Sequence, residues 1–180
     1  MLALAALALA AALAACGRGP SDTDAATSAE EKAADAEVLD GVLSRQLGVV
    51  AAYRQAMIIL DHRTLLLLRK FRAQEGAHAD AVVKTLRGLG EKAEAEPEAI
   101  EAGTLKTRGD RLRFVYEMES ATIGLELTAI SKLSSPGARS MLASTVGNQA
   151  EHLAVLRRLL GAKPLQTVPN SFETGVTPAP

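Results

Sequence analysis

LRKFRAQEGAHADAVVKTLRGL, residues 68–89, is a helical apolar stripe interrupted by two ionisable side chains. Taken in alternating three- and four-residue steps it reads Leu68, Phe71, Glu75, His78, Val82, Leu86 and Leu89, which is the spacing of one helix face. Glu75 and His78 are neighbours across a single turn of that face. They occupy positions where a core stripe would carry Leu. A buried carboxylate costs several kcal/mol unless it is paired or bound to a metal, so the pair demands a partner elsewhere in the chain.

The rest of the sequence supplies helices to pack against this one. Ala, Leu, Glu, Lys and Arg dominate the 180 residues, and aromatics are scarce, with three Phe, two Tyr and no Trp; that composition favours helix over strand. Upstream, Leu39, Val42, Leu43, Gln46, Val49, Val50, Tyr53, Met57 and Leu60 fall at helical spacing and predict a helix from about Asp35 to Leu60. Asp61 is placed to cap a second helix over His62 to Leu89, and Gly88 and Gly90 close it. Residues 90–107 are charged, contain Pro97 and Gly103, and lack apolar periodicity. They read as a linker long enough to run the length of a bundle. A third helix is predicted from about Asp110 to Leu133, on Leu112, Val115, Tyr116, Glu119, Thr122, Ile123, Glu126, Ile130 and Leu133. Ser135 and Pro136 open a fourth, which carries Leu142, Thr145, Val146, Gln149, His152, Leu153, Leu156 and Leu159 and ends at Gly161 and Pro164.

The second half repeats the first. Gln46 with Tyr53 seven later matches Glu119 with Glu126 seven later, and Glu75-x-x-His78 matches Gln149-x-x-His152. The interval is 29 residues from Gln46 to Glu75 and 30 from Glu119 to Gln149. The expected fold is all-α: a four-helix bundle of two helical hairpins joined by a long crossover linker, occupying residues 35–162.

Residues 1–15 contain only Met, Leu and Ala. Such a run is too short to span a bilayer, which takes ~20 residues, and has the length of a signal-peptide hydrophobic region. It ends Leu13-Ala14-Ala15-Cys16-Gly17, which resembles the lipobox of bacterial lipoproteins. The resemblance implies a signal peptide over 1–16, lipidation of Cys16, and an exported protein held by lipid on the extracytoplasmic side of a bacterial membrane. It departs from the pattern in having no Lys or Arg before the apolar run. Residues 17–34 are small and polar and read as a flexible tether; residues 163–180 contain four prolines and read as an extended or disordered tail. Cys16 is the sole cysteine, so no disulfide forms within the chain. Lys and Arg number 20 against 21 Asp and Glu, interspersed, and no basic block points to nucleic acid. Nucleophile elbow, P-loop and dinucleotide fingerprints are absent from the sequence.

The hairpin duplication, together with Gln46…Ala51-Ala52-Tyr53, Gln74-Glu75-x-x-His78-Ala79, Glu117-x-Glu119, His152-Leu153-Ala154-Val155-Leu156 and Pro169-Asn170-Ser171-Phe172-x-x-Gly175, resembles the bacterial ferritin-like domain proteins. That resemblance implies a metal layer in which the first and third helices each give a Glu and the second and fourth each give Glu-x-x-His. Carried over, the ligands are Glu75, His78, Glu119 and His152, with Gln46 and Gln149 at the two remaining positions. Two divalent cations carry four positive charges, and Glu75 and Glu119 return only two. A two-iron oxidase centre is therefore compromised, which weighs against catalysis; any activity would resemble metal handling or oxidation chemistry. One divalent ion, Fe, Mn or Zn, held by two carboxylates and two imidazoles is chemically reasonable. The competing expectation is a metal-free scaffold or interaction protein of the cell envelope, its six polar side chains forming a relic network.

Glu126 lies ~10.5 Å along the helix axis from Glu119 and is expected to snorkel to solvent at the stripe's edge. Glu117 and Glu151 fall on the opposite faces of their helices and should be exposed. His62 reads as a surface residue, and Tyr53 as core packing with its hydroxyl satisfied.

Overall fold

The computed structural model describes residues 28–58 and 60–163. The predicted signal peptide, Cys16, most of the tether and all but the first residue of the tail lie outside them. Four helices follow in order: α1 Ala29–Ala56, α2 His62–Leu89, α3 Arg108–Lys132 and α4 Pro136–Leu159. α1 packs on α2 and on α3, α3 packs on α4, and α2 and α4 approach less closely. At ~1.5 Å per residue the helices run ~36–42 Å.

The helix ends follow their sequence signals. Asp61 accepts from the Thr64 amide at the start of α2, Thr107 and Asp110 form a reciprocal capping box on α3, and Ser135 accepts from the Ala138 amide with Pro136 in the first turn of α4. α2 stops at Gly90, whose φ of 94° is left-handed and open to glycine at no steric cost. α1 starts at Ala29, upstream of the apolar period that begins near Asp35. A capping box explains the difference: Ser28 and Glu31 satisfy each other's backbone amides, which lets an exposed first turn form without a buried face.

The crossover segment 90–107 is irregular but anchored. Glu98 donates its amide to the Ser44 carbonyl at 2.9 Å, and Ser44 Oγ donates to the Glu96 carbonyl at 2.6 Å. Arg45 ties three segments together, donating to Glu98 at 2.9 Å, to Thr122 Oγ1 at 2.9 Å and to the Met118 carbonyl at 3.2 Å. The crossover passes so near α1 at Gly48 that a Cβ there would lie 2.5 Å from the Glu98 carbonyl oxygen. At the far end Arg111 donates to the carbonyls of Gln55 and Leu105. Asp35, fully buried, accepts the Ser134 and Ser135 amides at 2.7 Å each and so closes the α3–α4 turn.

The apolar core is in two compartments. One contains Val49, Tyr53, Leu68, Phe71, Leu112, Val115, Tyr116, Leu153 and Leu156; the other contains Leu39, Val42, Leu43, Val82, Leu86, Leu133 and Leu142. In each helix a buried polar position separates the residues of one compartment from those of the other.

Candidate metal centre

The dividing layer consists of Gln46 from α1, Glu75 from α2, Glu119 and Glu126 from α3, and Gln149 and His152 from α4, none more than 1% exposed. Glu75, Glu119 and His152 each present a ligand atom within 4.8 Å of the other two. His152 Nδ1 lies 3.1 Å from Glu119 Oε1 and 3.2 Å from Glu75 Oε1. Its Nε2 faces Gln74 Oε1 at 3.2 Å, and its ring stacks on Phe71 with centroids 4.0 Å apart. The Tyr53 hydroxyl donates to Glu119 Oε1 at 2.5 Å. Gln149 Nε2 donates to Glu75 Oε2 at 3.1 Å, and His78 Nδ1 lies 3.3 Å from the same oxygen.

Antiparallel α1 and α3 cross-pair the duplicated positions. Tyr53 meets Glu119, and Gln46, through its amide nitrogen, donates to Glu126 Oε1. Thus each buried carboxylate of α3 faces a donor from α1, a phenol in one case and an amide in the other.

Burial sets the charge states, and contacts redistribute them. Burial pushes Glu126 up to about 8, against the Gln46 hydrogen bond, with the charges of Glu75 and Glu119 adding to the rise. Burial, with the Glu75 charge, also raises Glu119, although His152 and Tyr53 oppose it. For Glu75 burial is outweighed by the His152 imidazole 3.2 Å from Oε1 and by His78 and Gln149 at Oε2, which hold it below the usual carboxylate range. His152 rises to about 9: desolvation would lower it, but Glu119 and Glu75 prevail. Both of its ring nitrogens face oxygen acceptors, as an imidazolium requires. Burial and Glu119 lift the Tyr53 phenol well above its ordinary value. Near neutral pH the layer holds an ionised Glu75, a protonated His152 and a protonated Glu126.

Of the residues read from the sequence, Glu75, Glu119 and His152 come together, and Gln149 and Gln46 lie in the same layer as hydrogen-bond donors. His78 does not join the tight cluster: its side chain is 14% exposed and turned to Glu75 Oε2. Glu117, Glu151 and His62 are exposed, as read. The expectation for Glu126 requires correction. It is fully buried, not at the solvent edge. Seven-residue steps put Leu112, Glu119 and Glu126 on one line down the centre of the α3 stripe, and two methylenes are too short to carry a carboxylate from there to water. The signal was present in the duplication, because its twin Tyr53 is a core position.

The donor set fits a cation. Five buried oxygens of the layer, Gln46 Oε1, Glu75 Oε1, Glu119 Oε2, Glu126 Oε2 and Gln149 Oε1, have no hydrogen-bond partner. Glu75 Oε1 is near His152 Nδ1 but receives no aligned hydrogen, which goes to Glu119. Buried oxygen acceptors without donors are costly, and a divalent cation satisfies several at once. A surface groove lined by Asp61, Arg63, Thr64, Leu66, Lys70 and Arg108 includes none of these residues and lies at the bundle's end. Among the described residues no helix is long and apolar enough to cross a membrane.

Solved structures share the architecture. One is a conserved hypothetical protein, rv2844, from Mycobacterium tuberculosis, 16% identical, with a TM-score of 0.65 over 71% of this chain and 98% of that one. Another is a ferritin-like, diiron-carboxylate protein from Bacillus anthracis str. Ames, 15% identical, with a TM-score of 0.64 over 73% of this chain and 98% of that one. At such identities the likeness is one of fold. Among curated proteins no sequence matches. The ferritin-like domain family matches residues 21–162, and the chain belongs to that family.

Proposed function

We propose that this protein binds a divalent metal ion, iron or a similar cation, in the polar layer of its bundle. The observation that carries the reading is the convergence of Glu75, Glu119 and His152 ligand atoms within 4.8 Å, surrounded by buried oxygens that lack donors. Two carboxylates and one imidazole suit Fe(II), Mn(II) or Zn(II). His78 holds Glu75 through Oε2, Tyr53 holds Glu119, and Gln74 and the Phe71 ring fix the His152 imidazole, so the three ligands are oriented by fixed neighbours. The bound ion supplies Lewis-acid or redox chemistry; the surrounding apolar compartments limit the access of water. The diiron-carboxylate description of the Bacillus anthracis neighbour agrees with this choice of cation. A lipid anchor at Cys16, on the strength of Leu13-Ala14-Ala15-Cys16, places the bundle outside the cytoplasm on a membrane surface.

One observation favours a second reading, a metal-free envelope scaffold. The Gln46 and Gln149 amides donate to Glu126 and Glu75, as expected of a network that closes on itself. Loading the full chain anaerobically with Fe(II), Mn(II) or Zn(II), followed by dialysis and elemental analysis, separates the two. Bound metal in the wild type and none in Glu75→Ala, His152→Ala supports the centre. Background metal in both proteins leaves the scaffold.

A further inference from the structure

We propose that Glu126, from a position the ferritin-like ligand pattern does not use, supplies the carboxylate missing at Gln46, and that with Gln46 Oε1, Gln149 Oε1 and Glu75 it forms a second divalent-cation position beside that of Glu75, Glu119 and His152. The inference rests on the metal-binding reading of the same layer and extends it.

The first argument is placement. Gln46 and Glu119 are equivalent in the duplication, as are Tyr53 and Glu126. Because α1 and α3 are antiparallel, Gln46 lies opposite Glu126 and Tyr53 opposite Glu119. A carboxylate lost at position 46 and gained at position 126 therefore changes helix without leaving the layer. The second argument is the set of unpartnered atoms. Gln46 and Gln149, both 0% exposed, are anchored by their amide nitrogens to Glu126 and Glu75. That anchoring leaves both amide oxygens, and Glu126 Oε2, with no donor. Two amide oxygens without donors, and a carboxyl oxygen open to a cation that displaces its proton, are a poor hydrogen-bond network and a suitable half-shell for a hard or borderline cation. The third argument is connection to the first position. Gln149 Nε2 donates to Glu75 Oε2 while its own Oε1 has no donor, so Gln149 links Glu75, a ligand of the first position, to the second. The fourth is charge: with Glu126 the layer offers three carboxylates, against the two that the ligand pattern alone supplies.

The test is Mn(II) titration of the metal-free full chain, with free Mn(II) counted by its aqueous electron paramagnetic resonance signal and the bound fraction inspected for exchange coupling. The expected result is two Mn(II) per chain with a coupled spectrum in the wild type, and one uncoupled Mn(II) in Glu126→Gln. Gln is isosteric with the protonated acid, and far-ultraviolet circular dichroism checks that the bundle is intact. One Mn(II) in the wild type, or two in both proteins, overturns the second position and leaves the first standing. No bound Mn(II) in the wild type overturns both.

Discussion

Glu126→Gln should stabilise the metal-free protein, by an amount that depends on pH. Burial holds the Glu126 proton until about pH 8, whereas an unfolded chain releases it near 4.5. Between those values the folded state keeps a proton that the unfolded state loses, so stability falls as pH rises, by about 1.4 kcal/mol per pH unit. At pH 7 the accumulated loss is ~3 kcal/mol; above pH 8 it is constant, and below 4.5 it vanishes. Gln carries no ionisable proton and presents an amide where the acid presents its hydroxyl, with Oε1 still available to the Gln46 donor. The substitution removes the pH-dependent loss and leaves the hydrogen bond. A gain of ~3 kcal/mol in a domain of this size raises Tm by about 10 °C. Urea unfolding followed by circular dichroism at pH 4.5 and pH 7, both with chelator present, measures the two limits. The contributions of Glu75, Glu119 and His152 are common to both proteins and cancel to first order in the comparison. A stability difference that is equal at the two pH values, or absent at pH 7, would refute the burial of an acid at this position.

Three further perturbations address the scaffold and the anchor. Gly48→Ala forces a Cβ to within 2.5 Å of the Glu98 carbonyl, so the crossover must lift from α1; a loss of ~1–3 kcal/mol in thermal or urea unfolding is expected. Asp35→Ala removes two charge-assisted hydrogen bonds to the Ser134 and Ser135 amides, and should cost ~2–3 kcal/mol while hydrogen exchange accelerates at those two amides before any other change in the bundle. Cys16→Ser in the full chain should abolish incorporation of labelled fatty acid and release the protein from the membrane fraction into the soluble one; unchanged fractionation and labelling would remove the lipid-anchor reading.

The helices were legible because their signals are local. Asp61 at a cap, Gly90 beyond a C-terminus and Pro136 in a first turn act on their own neighbours in sequence, and the apolar stripes between them repeat at one period. The Glu75, Glu119 and His152 cluster was legible through the duplication, since each half carries part of the same spacing. What the sequence concealed depends on which helices meet and in what direction. Glu126 reads as an anomaly within α3 alone; only the antiparallel partner α1 turns it into the counterpart of Gln46. His78 shares the face of Glu75 by spacing, yet a small rotation of α2 is enough to leave it at the edge of the core, bonded to the carboxylate beside it. The early start of α1 depends on a two-residue cap in a stretch with no apolar period, where composition indicates only polarity.

The division of the core into two apolar compartments also bears on how the helices find their alignment. Leu, Val and Ala repeat on both sides of the layer, and such side chains exchange places at modest cost when a helix slides by one turn. The polar layer removes that freedom. A one-turn slip of α2 that carried Glu75 into the slot of Ala79 would bury it in the cluster of Leu39, Val42, Leu43 and Leu142 and strand Gln149 from Glu75, and a slip of α1 or α3 would likewise strand Gln46 from Glu126. Each misalignment leaves a buried polar group unmatched, at ~1–3 kcal/mol or more for a charged one. The six side chains thus act as a key that admits one register among several the hydrophobic stripes would accept, as buried polar residues do in coiled coils. That role holds whether or not a cation is bound.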